Sequence, residues 1–118
     1  MKNNNKKMIP LHDVDQKRAT IRVMRDYINM KKTVLTNRAH QQNQLQIQRL
    51  AELLNWFERA WEILEPEAQL ILSQFYMGTT LKNKAVETLL TKLPYSERIL
   101  HRKKDRALKE LASLLFGK

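Results

Sequence analysis

The chain has 118 residues, a formal net charge of +10 and no cysteine. That length supports one domain, or a small domain with an extension, and the missing cysteines exclude disulfides and thiolate metal sites. A chain this basic is drawn to polyanions before any specific contact is considered, and its two glycines and three prolines suit an all-α protein.

Residues 1–12, opening "MKNNNKKMIP", read as a flexible basic arm, with three consecutive Asn and few apolar groups. No apolar stretch follows the lysines to make a signal peptide, and nowhere do eighteen apolar residues run together, so neither a leader nor a membrane span is expected. Cytoplasm is the expected location. Residues 13–65 read as a helical hairpin or oligomerisation segment, and residues 66–118 as a helix-turn-helix DNA-binding domain. The first helix is expected from Asp13 or Asp15 to about Lys32, with Val14, Ile21, Ile28 and Leu35 spaced by seven and Met24 filling the other seam position. Its opposite side is basic, through Lys17, Arg18, Arg22 and Arg25. A turn is expected at Thr33 to Asn37, where β-branched residues meet the N-cap candidates Thr36 and Asn37.

The next helix, expected from about Asn37 to Leu64, carries the cleanest periodicity: Ile47, Leu50, Leu54, Phe57, Trp61, Leu64 at alternating steps of three and four. Such a stripe pairs with another helix of the chain or of a second copy. Ile47, Leu50, Leu54, Phe57 and Trp61, with Trp56 partly off the stripe, are therefore the candidate interface of a homodimer formed by the N-terminal helices. Glu65 and Pro66 break this helix, since proline restricts the residue before it and is welcome at the start of a new helix. A helix from Pro66 to about Met77 carries Leu70, Ile71 and Phe75, and Gly78 stands where a C-cap is wanted. After the turn "GTT", a helix from about Leu81 to Leu93 presents Ala85, Val86, Leu89 and Leu90. Pro94 and Tyr95 interrupt it. Ser96 then caps a last helix that continues through Leu100, Ala107, Leu108, Leu111 and Leu115 to Gly117.

That last stretch, "SERILHRKKDRALKEL", holds six Lys or Arg and one His in sixteen positions. On most amphipathic helices such a run is only the solvated face. Here it follows a tight turn at helix-turn-helix spacing and lacks the interleaved acids that pair at i,i+4. A helix fits the major groove of B-DNA, its first turns reaching base edges and the surrounding cations meeting phosphates. Glu97, Arg98, His101 and Arg102 are the candidate base contacts. Ser96, Lys103, Lys104, Arg106 and Lys109, with Lys82 and Lys84 on the preceding helix, are the candidate phosphate contacts.

The segment from Leu64 to Leu111 resembles region four of bacterial sigma factors. "LEPEAQLILSQFYM" is similar to the opening helix of that region, and "LPYSERILHRKKDRALKEL" to its closing helix-turn-helix. The layout also resembles small phage and prophage regulators of the ArpU and RinA type. The resemblance implies a helix-turn-helix reading promoter DNA, with Ser96 opening the recognition helix, and a regulator of late or packaging-gene transcription, for which RNA polymerase is a candidate partner. Pro94 stands where the family usually has Gly, and Lys103 where it usually has an aliphatic residue. Nothing resembles sigma region two, so a complete sigma factor is not expected.

The chain is not expected to be an enzyme or to need a cofactor. His12, His40 and His101 have no metal-ligand spacing, and Glu62, Glu65 and Glu67 cluster at a helix break rather than around a pocket. The first helix has a narrow apolar face without Trp or Phe, which argues against a membrane surface as partner. Double-stranded DNA is the expected partner. Two other readings stay open: a small-terminase-type DNA-packaging subunit that forms a ring, and a module that binds polymerase or another protein without DNA.

Overall fold

The computed structural model describes residues 13–40, 44–78 and 82–117. Among these, the chain forms five α-helices and no strand: α1 (Asp13–His40), α2 (Gln44–Ile63), α3 (Pro66–Tyr76), α4 (Lys82–Lys92) and α5 (Glu97–Phe116). The expected basic arm and the "GTT" turn after Gly78 lie outside the described residues.

The boundaries after α2 follow from local chemistry. Glu65 is extended (φ −67°, ψ 153°) ahead of Pro66, as a residue before proline prefers. The junction is closed from both sides: the backbone N–H of Gln69 donates to Glu65 O at 3.0 Å, and its side-chain Nε2 donates to Trp61 O at 2.8 Å. A carbonyl left over at the end of α2 is thereby satisfied. Ser96 is extended and its Oγ accepts from the Ile99 N–H at 3.3 Å, the N-cap that the sequence suggests.

Two expectations for the first helix are corrected. There is no turn at Thr33 to Asn37, and α1 runs on to His40. Val34, buried on Ile47 and Leu54, holds this stretch to α2, while Thr33 Oγ1 bonds back to Asn29 O at 2.9 Å inside the helix. The buried side of α1 also differs from the expected seam. Val14, Ile28 and Leu35 are 59%, 44% and 60% exposed, whereas the expected Met24 is buried together with Thr20 and Val34, and Ile21 packs against the core. Thr20 can take a core position because its hydroxyl donates to Gln16 O at 2.7 Å, leaving no polar group unsatisfied.

Three clusters make the core. In the largest, Met24 of α1 meets Phe57, Ala60 and Leu64 of α2, Leu72 of α3, and Ala107, Leu108, Leu111 and Leu115 of α5. A second joins Ile71, Val86, Leu89 and Leu100 from α3, α4 and α5. The break at Pro66 is therefore a change of helix and not a gap in the packing. The α2 stripe closes within the chain: Ile47, Leu54 and Phe57 are buried, and Leu50, Trp56 and Trp61 are half-buried against the chain's own residues. Phe57 stacks on Trp61 with ring centroids 5.7 Å apart, and Trp56 meets Phe116 edge-on at 5.5 Å. The assignment of Ile47, Leu50, Leu54, Phe57 and Trp61 to an interface between copies is corrected accordingly, because they pack on the chain's own residues, whereas the half-buried Trp56 also borders a groove on the outer side of α2.

A shared core has a measurable consequence. Met24→Ala removes a fully buried side chain and is expected to cost about 2–5 kcal/mol. In urea, helicity and tryptophan fluorescence should still report one coincident transition for parent and variant. Separate transitions for the two halves would show that the clusters fold independently.

Candidate nucleic-acid interface

α3, α4 and the first turns of α5 pack around Ile71, Val86, Leu89 and Leu100, with Leu70, Phe75 and Leu93 at the margin. α4 and α5 are joined by Leu93–Ser96, the helix-turn-helix order expected from sequence. The inner side of α5 is committed by burial of Leu100, Ala107, Leu108, Leu111, Ala112 and Leu115. What remains outside is set by the helical period.

Arg98, Arg102, Arg106 and Lys109 are all exposed and lie along that outer side, at steps of four, four and three. Among the described residues none of them forms an ion pair. Asp105 shares the row and is 69% exposed at its side chain, with its Oδ1 3.8 Å from Lys104 Nζ. Ile99, 41% exposed, lies beside Arg98 and Arg102. It was missed from sequence because attention falls on charge, but its departure from the Leu100–Ala107–Leu111 ladder is a readable sign that it faces outward. An apolar group there suits contact with a thymine methyl.

Of the four candidate base contacts, Arg98 and Arg102 stand exposed one turn apart, whereas Glu97 and His101 lie against each other. His101 leans on the Phe75 ring, with centroids 5.7 Å apart, and its Nε2 is 3.6 Å from Glu97 Oε2 one turn back. Two of the phosphate candidates are engaged within the fold. Lys103 Nζ is 3.2 Å from Glu67 Oε2 and 4.6 Å from the centroid of the Tyr95 ring. Lys104 is nearly covered, at 15% side-chain exposure, with its ammonium 5.0 Å from the centre of the Phe75 ring. Both cations brace α5 against α3 and the α4–α5 connection. Ser96 is exposed and accepts the cap bond, Lys84 is exposed on α4, and the Lys82 side chain lies outside the described residues.

The basic side of α1 extends this surface. Lys17 and Lys109 line one shallow depression with Gln16, Ala112, Ser113 and Gly117. Arg25 lies over the Tyr76 ring at 5.9 Å. Burial first, then the nearby Asp105 carboxylate, pushes the Tyr76 hydroxyl above its ordinary range, against the opposing pull of Arg25.

Two buttresses hold the surrounding helices. Tyr95 donates to Glu67 Oε1 at 2.7 Å, and this bond, helped by Lys103 and opposed by burial, keeps the Glu67 carboxyl below the usual glutamate value. Tyr27 donates to Glu58, which also pairs with Lys31 at 3.1 Å, and the Glu58 carboxyl is lowered chiefly by the Tyr27 hydroxyl. Among the described residues there is no group of acids and histidines that could hold a metal ion, and no helix is long and apolar enough to cross a membrane. The chain matches no family model, curated protein or solved structure.

The depressed glutamates set a pH dependence. A carboxyl whose folded value lies below its unfolded value of 4.5 contributes stability above that pH and loses it as the pH falls through the folded value. Glu67→Gln should therefore be less stable than the parent by about 0.5 kcal/mol at neutral pH, a small figure because the group is partly solvated. The gap between the urea midpoints of the two proteins should narrow as the pH falls through the folded value of Glu67. A constant gap across that range would mean that the Glu67 charge contributes nothing.

Proposed function

We propose that this protein binds duplex DNA, with α5 as the helix that enters the major groove and α4 as its support, and that it regulates transcription by recognising a particular sequence. The observation that carries the reading is the outward row Arg98, Arg102, Arg106 and Lys109, left without ion-pair partners among the described residues in a chain of net charge +10. The resemblance of Leu64–Leu111 to sigma region four supports promoter DNA as the target, and with it a phage or prophage late-gene activator that touches RNA polymerase.

Roles divide along the helix. Arg98 and Arg102 lie in the first turns after the Ser96 cap, where a guanidinium can pair bidentately with guanine, and Ile99 meets a thymine methyl. Arg106 and Lys109, farther along, meet phosphates, and Lys17 and Arg25 of α1 extend that backbone contact. Phosphate contacts supply affinity through counterion release, and base contacts supply discrimination. Glu97 and Asp105 repel phosphate, which restricts the poses in which the row can approach a duplex.

Fluorescence anisotropy across a salt series, using duplexes from the surrounding gene cluster and shuffled controls, tests this. Arg98→Ala with Arg102→Ala should lower discrimination by about 1–3 kcal/mol per lost base contact. Arg106→Ala with Lys109→Ala should weaken all duplexes alike and flatten the salt dependence by about one unit of slope per contact. Lys104→Ala should lower thermal stability and leave the slope unchanged. Parent-like binding by the Arg98/Arg102 variant would remove α5 from the groove.

A further inference from the structure

We infer that the chain forms a two-fold symmetric homodimer through the outer face of α2, the side turned away from its own core. This face is distinct from the inner stripe that α1 and α5 cover. Leu45 and Ile63 stand 61% and 62% exposed near its two ends. Between them Trp56, with Ala60 and Leu114, borders a groove of about 400 Å³ rimmed by Glu52, Asn55 and Arg59. An apolar strip edged by charge is the anatomy of a protein contact.

The charge order names the occupant. Arg49, Glu52, Arg59 and Glu62 are exposed, and among the described residues none forms an ion pair. When a second copy of α2 is laid antiparallel about an axis passing between Asn55 and Trp56, residue 49 faces 62 and residue 52 faces 59. All four opposed pairs then join an Arg to a Glu. No neighbouring register does this: an axis at Trp56 sets Glu52 against Ala60, and one at Asn55 sets Glu52 against Glu58. A parallel pair would oppose every charge with its own sign.

The same register brings Leu45 of one copy within a turn of Ile63 of the other and sets the two Trp56 residues beside the axis. Such a contact is isologous: each residue meets its counterpart's partner, and the assembly closes at two copies. An unrelated protein would give no reason for the signs to be arranged symmetrically about one point. A 20-residue helix, about 30 Å long, together with the end of α5, is on the scale of the ~800 Å² per partner that stable complexes bury.

Charge swaps read by sedimentation equilibrium test the arrangement. The parent should dimerise at micromolar concentration, more weakly at high salt. Glu52→Arg and Arg59→Glu each place two like-charge contacts across the axis and should raise the dimer dissociation constant about tenfold or more. Mixing the two single variants should restore a heterodimer, because every opposed pair is again complementary, and the double swap should restore the homodimer. Circular dichroism should show all of them folded, the substituted side chains being exposed. A parent that stays monomeric at about 100 μM, a dimer indifferent to the single swaps, or a ring of many subunits would each overturn the proposal.

Discussion

One helix belongs to two cores at once. Leu100 closes the cluster formed with α3 and α4, while Ala107, Leu108, Leu111 and Leu115 wall the cluster formed with α1 and α2. Burying a leucine contributes about 1.5–3 kcal/mol, whereas a surface charge pair on a helix contributes a few tenths. The apolar side of α5 therefore decides its rotation, and the charged side follows. Arg98, Arg102, Arg106 and Lys109 point outward because Leu100, Leu111 and Leu115 cannot.

The same anchoring explains why neighbouring cations behave differently. Lys103 and Lys104 flank the buried side, close enough for their ammonium groups to lie over the Tyr95 and Phe75 rings. A long cationic side chain covers apolar surface readily when its head finds water, a carboxylate or a ring. In Lys103 the head reaches Glu67, which Tyr95 already holds. An aliphatic residue there would pack but would not tie α5 to the first turn of α3.

What was legible in the sequence was local. The Ser96 cap, the Pro66 break and the α2 stripe each depend on residues within a turn or two of one another, and each stands where it was read. The failures are tertiary. Thr20 is polar by any scale, so a hydropathy pattern cannot choose it for the core over Val14 or Ile28, yet one bond to Gln16 O makes it acceptable. Val34 overrides the turn signals around it because Ile47 and Leu54 of α2 meet it in space. The α2 stripe was visible, but its partner was not, since periodicity identifies a face without saying whether the chain or a second copy covers it. The engagement of Lys103 and Lys104 was hidden for a related reason: the groups that meet them, Glu67, Tyr95 and Phe75, come from outside α5.

The net charge of +10 is thus distributed less evenly than the count suggests. Among the described residues, Glu58, Glu67 and Asp105 pair with Lys31, Lys103 and Lys104, and Glu97 lies 3.6 Å from His101 Nε2. Each of those basic groups lies at a helix seam or beside the row, not within it. On the outer face of α2 the signs are balanced, with Arg49 and Arg59 against Glu52 and Glu62. Among the described residues, Arg98, Arg102, Arg106 and Lys109 of α5 stay exposed without ion-pair partners. Charges this close together act jointly, since their separations along the helix are comparable with a screening length of about 8–10 Å.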